Sequence, residues 1–494
     1  MVSRRDALRI GVLASALAGL SACSPAARVM LNEQRPEQFD APPADPRILR
    51  LMHRAGYGPR PGDLDHAHRL GFEAYLEEQL HPEAIDDQPA DLLVRNLHLY
   101  HKSFGQLQFH DHEDVEEELV VASIMRAVTS RRQLYEAVVA FWSDHFTVYA
   151  KKNRQLGRLK LVEDRDVIRP NALGTFPALL MASATSPAML IFLDNHTNYA
   201  EAPNENYARE LMELHTLGID GGYTQRDVQE LARALTGWTV HEDGLNAGAF
   251  TFNEAVHDAT EKTVIGHTIP AGSGEAGIRE MLDILATHPE TARFISYKLV
   301  RRFVADNPPA DLVEQLAATF LRTGGDIKTI LREMFLSEAF ATAPDKLKQP
   351  MSYVASMLRG LSADVGPQGF RQLYTILDRM GHLPFGWPMP DGYPDVTGAW
   401  LGTLLPRWNL ALAALNGEIE GINVPTQQFI GMSGGTDNVP ATLDAVAVQL
   451  LGTTLPSQTR SALLRYLAEG PGGQLKRVQQ TMALILAGPA FQWM

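Results

Sequence analysis

The densest run of chemically capable side chains lies between Asp194 and Trp238. Within it, residues 204–217 read Asn-Glu-Asn-Tyr-Ala-Arg-Glu-Leu-Met-Glu-Leu-His-Thr-Leu, preceded by Pro203 and followed by Gly218, a pattern that predicts a helix. At roughly 100° per residue, Glu205, Arg209, Glu213, Asn206 and Glu210 share one face about 140° wide. Carboxylates grouped in this way can supply a general acid or base, with Arg209 orienting an anionic group. The same face also describes a plain salt-bridge network, because Arg209 lies four residues from both Glu205 and Glu213. A third chemistry is hard-cation binding. Asp194, Asn195, Asn198, Asn204, Glu205 and Asn206 gather oxygen donors at a loop-to-helix junction, which suits Ca²⁺ or Mg²⁺. His215 falls about 160° from Glu213 on a regular helix, so the two cannot share a metal there.

Other histidines have two readings each. His145, in Phe141-Trp142-Ser143-Asp144-His145-Phe146, sits among aromatics beside Asp144; a hydrogen-bonded core histidine is the plainer role and a proton shuttle the sharper one. His257-Asp258 with Lys262 either positions an acid or forms a turn capped by Asp258. The run from His110 to Glu118 reads as a solvated, charged helix start more readily than as a metal site. With Cys23 the only cysteine, no thiolate cage can form, so any divalent metal would be held by oxygen or imidazole alone. His-Glu-x-x-His and a Walker A loop are absent from the sequence.

The elements that must position these groups read as mainly α. Apolar residues recur at three and four through residues 122–150, 276–285, 291–305, 312–321, 327–335 and 351–361. Thr224, with Asp227 three residues on, opens a second helix after a glycine-rich turn, giving an αα-hairpin at the centre of the chain. Strand-like alternation is scarce, and residues 248–267, containing Phe250-Thr251-Phe252 and Thr263-Val264-Ile265-Gly266, are the best hairpin candidate. Residues 381–400 are rich in Gly, Pro and aromatics and predict a packed loop, either a core plug or a cleft wall. Helices resume over 401–415 and again from Pro440 to Trp493, with a break expected over residues 431–437.

Composition narrows the classes. The 494 residues are 45% hydrophobic and 21% charged, an ordinary globular balance, and the formal net charge of −14 argues against nucleic acid as a partner. The N-terminus reads as an export signal: Arg4 and Arg5 follow Ser3 and precede an uncharged run of small and apolar residues too short to span a bilayer. The paired arginines resemble the twin-arginine signal, and Leu20-Ser21-Ala22-Cys23 resembles the bacterial lipobox, in which the cysteine is acylated. Residues 1–22 are thus expected to be removed and 23–46 to form a Pro-rich, lipid-anchored tether. Residues 47–415 then form the core domain and 416–494 a helical portion packing on it. Ser24 resembles the residue after the cysteine in outer-membrane lipoproteins, so the expected location is that membrane's periplasmic face or the cell surface. Losing a net +2 with the signal leaves the mature chain near about −16, so membrane association is expected to rest on the lipid alone.

Several segments together resemble the bacterial family catalogued as domain of unknown function 1800, over roughly residues 47–415. They are His53-Arg54-Ala55-Gly56-Tyr57-Gly58, Phe141-Trp142-Ser143-Asp144-His145-Phe146, Pro187-Ala188-Met189-Leu190, Leu193-Asp194-Asn195, the central hairpin through Trp238, and His288-Pro289 with Lys298-Leu299. Asp144 departs from the family's more usual amide at that position. The resemblance implies an exported protein and, as partner, a sulfatase-like exported protein of unknown function family 1501; it implies no reaction. Two functions follow from the residues. One is an envelope enzyme in which Glu205, Glu210 or Glu213 supplies the acid or base, Arg209 orients an anion and His145 assists. The other is a non-catalytic envelope binding or assembly subunit.

Overall fold

A computed structural model describes residues 45–241, 248–427, 431 and 438–494. The export signal with Arg4 and Arg5, the lipidation candidate Cys23, the tether to residue 44 and nearly all of the expected break over 431–437 lie outside those residues. The chain is mainly helical, and among the described residues the strands form only two-stranded antiparallel pairs.

The expected hairpin over 248–267 is corrected to two. Phe250–Phe252 pairs with the upstream strand Trp238–Val240, which Gly237 releases from the preceding helix at a φ of 80°. Lys262–Val264 pairs with His267–Ile269, and Ile265-Gly266, both at positive φ, supply the two-residue turn that the sequence pattern read as strand. Residues 122–150 likewise hold two helices, His112–Thr129 and Gln133–His145. Buried Asp87 fixes the break, accepting from Ser130 Oγ at 2.6 Å and from the Arg131 amide at 2.7 Å. Apolar periodicity runs unbroken across this point because the chain changes direction without leaving the core.

The predicted helix over 204–217 is regular only through Glu205–Glu210; Leu211–His215 is a single π turn. Angles taken from 3.6 residues per turn therefore fail in its last five residues, and His215 is turned fully into the core. Thr224 and Asp227 form the expected capping box, and the αα-hairpin is present.

Two apolar cores meet along a seam. One gathers residues from the first helix, Pro46–Arg54, the helix Gln133–His145, the central hairpin and the helices between Gly274 and Ala341. The other is built by Tyr57, His112–Thr129, Pro350–Gly360, Pro367–Arg379, Leu404–Leu415 and the C-terminal helices, so residues beyond 415 complete a core to which Tyr57 and the segment from Leu93 also contribute. Buried Arg359 staples the seam, donating to the Gly58 carbonyl at 2.6 Å, to the Val128 and Ser130 carbonyls at 3.1 Å each and to Asp63 at 3.0 Å.

Candidate functional site

The carboxylate face on the central helix is present, and its members largely satisfy one another. Arg209 reaches Glu205 at 3.0 Å and Glu213 at 3.5 Å, and Gln225 from the second helix of the hairpin bridges Arg209 at 2.9 Å and Glu205 at 2.6 Å. Glu210 stands apart. Burial raises its pKa, and Glu213 and Asp391 raise it further.

The oxygen donors proposed for a cation are engaged in local hydrogen bonds. Asn195 Oδ1 accepts from Asn198, Asn204 Oδ1 accepts the Asn206 amide as a helix cap, and Asp194 takes Lys152 at 3.3 Å. Glu205 faces Arg209 and Gln225, away from that set. Among the described residues, no group of three or more His, Cys, Asp or Glu is placed to hold a metal.

His145 is a buried core histidine. Its ring packs among Phe141, Trp142, Phe146 and Phe176, and its Nε2 faces the His215 carbonyl at 3.2 Å. Burial, reinforced by Lys298, holds both imidazoles well below the usual range, His215 at about 3. His257 and Asp258 form the turn reading: Asp258 accepts the Thr260 amide at 2.9 Å and Arg233 at 2.7 Å, while Lys262 bonds the Asp258 and Thr260 carbonyls.

The concentrated chemistry lies at the seam, in a cavity of about 60 Å³. Tyr57 enters it just after the first helix; Glu136, Ser143 and Asp144 line it from Gln133–His145; Arg302 comes from Pro289–Phe303, and His382, Phe385 and Tyr393 from the loop over 381–400. That loop is a cleft wall. Its Tyr393 hydroxyl donates to the Leu383 carbonyl at 2.8 Å, and His382 packs edge-on to Tyr393 and against Trp400. A Cβ on Gly392, at a φ of 77°, would overlap the Asp144 carbonyl, so only glycine lets the loop close this tightly on the helix end. Phe385 also holds a left-handed φ of 61°, with the fully buried Lys160 over its ring at 5.1 Å.

Charges around the cavity divide into closed and open sets. Arg169 binds Glu136 bidentately at 3.0 and 2.9 Å and Asp164 at 3.0 Å. Arg302 binds Asp395 at 2.7 Å and also contacts Gln349, which itself bonds Asp395 at 2.9 Å. Asp144 has no ion pair or side-chain hydrogen bond among the described residues. Burial pushes its carboxyl up to about 7, against the pull of Arg302. Burial likewise brings Lys298 down to about 8, although Asp395, Asp144 and Asp391 oppose it. His382 is held at about 3 by burial and by Arg302, and its Nδ1 accepts the Met351 amide at 3.1 Å, so the ring proton resides on Nε2. A carboxyl and an amine that both exchange protons near neutrality, within electrostatic reach of each other, can carry acid–base chemistry. Asp391 acts electrostatically on both Glu210 and Lys298, while no residue of the predicted helix lines the cavity.

A second, smaller cavity of about 20 Å³ shares Tyr57, Arg302, Gln349 and Ser352 with the first and adds His53, Arg54 and Trp400. Sequence reasoning missed Tyr57, Arg302, His382 and Tyr393 as site residues. They are spread over more than three hundred positions; the segments His53 to Gly58 and Phe141 to Phe146 and the aromatic loop over 381–400 marked parts of this ground without singling out these side chains. No curated protein and no solved structure matches the chain. Residues 50–493, nearly the whole chain and well past position 415, match the family model described as protein of unknown function (DUF1800), and the protein belongs to that family.

Proposed function

We propose that this protein is an exported envelope enzyme that transfers protons within the cavity under the 381–400 loop, with Asp144 as the acid or base. The observation that carries this reading is a convergence. Tyr57, Ser143 with Asp144, and Tyr393 come from three distant segments and face one cleft, where a carboxyl with no ion pair among the described residues is desolvated to a pKa of about 7. Lys298 is the second titrating group, and Arg302, fixed by Asp395, sets the field around both. A cavity of about 60 Å³ admits a small polar molecule or the polar end of a larger one. Glu205, Arg209 and Glu213 hold the hairpin. Export through the Arg4-Arg5 signal and lipid attachment at Cys23 place the enzyme on the periplasmic face of the outer membrane or the cell surface, where a sulfatase-like exported protein of family 1501 is a partner.

The mutually satisfied pairs around Arg169 and Arg302 favour a second reading, a non-catalytic binding subunit with a static polar core. A turnover screen separates them. The purified chain is offered chromogenic esters, amides, glycosides and phosphoesters alongside Asp144→Asn, Glu210→Gln and Glu213→Gln. The proposal expects a turnover that Asp144→Asn lowers by roughly a hundredfold or more and Glu213→Gln spares. Activity lost in Glu210→Gln and kept in Asp144→Asn would return the chemistry to the central helix.

A further inference from the structure

The helix Leu404–Leu415 and the 3₁₀ segment Thr397–Thr403 before it present an unusual outer face. Leu401, Leu405, Trp408 and Leu412, spaced four, three and four apart, are 49, 61, 42 and 43% exposed. Over residues 397–415 the only charged side chain is Arg407, and it points inward at 0% exposure. There it donates to Thr403 at 2.9 Å and Gln492 at 3.1 Å and lies over the Tyr353 ring, with its Nη2 unpartnered among the described residues. A surface helix ordinarily turns its arginine to water and its leucines to the core. This one buries its only charge and exposes a tryptophan and three leucines, an arrangement that needs an apolar environment outside.

The position of the N-terminal chain identifies that environment. The first described helix begins at Pro46, and about 10 Å along its axis His53 lines the small cavity together with Trp400, the residue that precedes Leu401. The tether therefore leaves the fold close to the start of the apolar face. Cys23 precedes Asp45 by 22 residues, a reach of at most about 75 Å. An electroneutral face on a chain of net charge −14 is matched to uncharged lipid and gains nothing from a charged surface. Among the described residues, no helix is long and apolar enough to cross a membrane.

We propose that the face formed by Leu401, Leu405, Trp408 and Leu412 docks on the electroneutral bilayer surface to which Cys23 tethers the chain, with Trp408 seated at the headgroup level. Docking presents the molecule in a fixed orientation, in addition to the lipid attachment. The contact depends on side-chain burial in lipid, so it should be insensitive to salt.

The test uses the full chain carrying Cys23→Ser, which removes the acyl anchor and makes the outcome independent of the lipoprotein reading. Its sedimentation with vesicles of phosphatidylcholine and phosphatidylethanolamine is compared with that of the same chain carrying Leu405→Glu and Trp408→Glu. Both proteins share one N-terminal segment, so the difference reads the face alone. The proposal expects binding that the double variant weakens by roughly tenfold or more, unchanged by salt, with both proteins monomeric and equally stable. Should that variant lose stability, Leu401→Glu with Leu412→Glu supplies the same comparison. Equal binding of parent and variant, or none by the parent, overturns the proposal. So does self-association of the parent that the variant abolishes, which would assign the face to a second copy.

Discussion

Burial decides what each charged residue contributes. Arg209 is held by Glu205, Gln225 and Glu213 at a partly exposed surface, where screening leaves little net gain. Arg209→Ala should cost no more than about 1 kcal/mol in denaturant unfolding. Arg169 makes comparable contacts to Glu136 and Asp164 in the interior, and Arg169→Ala would leave two carboxylates buried without a cation. That change should cost about 3–5 kcal/mol by the same measurement. A loss at Arg209 equal to that at Arg169 would contradict the assignment of the first as a surface brace.

At the level of elements, the helix Gln133–His145 and the loop over 381–400 make the site together, and Gly392 is where they touch. Gly392→Ala combines a disfavoured φ with overlap on the Asp144 carbonyl, so the loop must lift. The expected outcome is a loss of about 2 kcal/mol or more and faster amide exchange confined to the loop and the end of that helix; unchanged exchange there would mean the loop is not pinned at this point. The sequence made the αα-hairpin legible because Thr224 and Asp227 state their cap locally. It hid the break at Ser130, because the side chain that enforces it, Asp87, lies 43 positions away. It hid the π turn at Leu211–His215 because apolar spacing does not distinguish 3.6 residues per turn from a single wider turn. The cavity was hidden for the same reason as the break: Arg302 sits in an unremarkable helix, the pattern of the 381–400 loop does not say what His382 and Tyr393 cover, and the three become a set only where the two cores meet.

Across the whole molecule, neutral histidines couple folding to acid. His145, His215 and His382 are buried with lowered pKa values, the last two at about 3, against about 6.5 when unfolded. Such groups give their stability above pH 6.5 and lose it as pH falls toward the folded values, at roughly 1.4 kcal/mol per pH unit for each histidine. The protein should therefore unfold cooperatively in mild acid, and His215→Phe should make the pH dependence shallower. An equally steep curve in that variant would place the acid sensitivity elsewhere.

Asp144 acts with the opposite sign. Its folded pKa of about 7 lies above the unfolded value of 3.8, so its contribution is full at low pH and is lost as pH rises from about 4 through 7. Asparagine mimics the protonated carboxyl and does not titrate, and subtracting the two stability curves cancels every histidine. Unfolding free energy should accordingly be measured for the wild type and Asp144→Asn from pH 4 to 8. The predicted result is an advantage for the variant that grows across that interval to the order of 4 kcal/mol and levels off above pH 7; a constant difference at all pH values would show that Asp144 is an ordinary solvated carboxylate and that the cavity is not the reacting site.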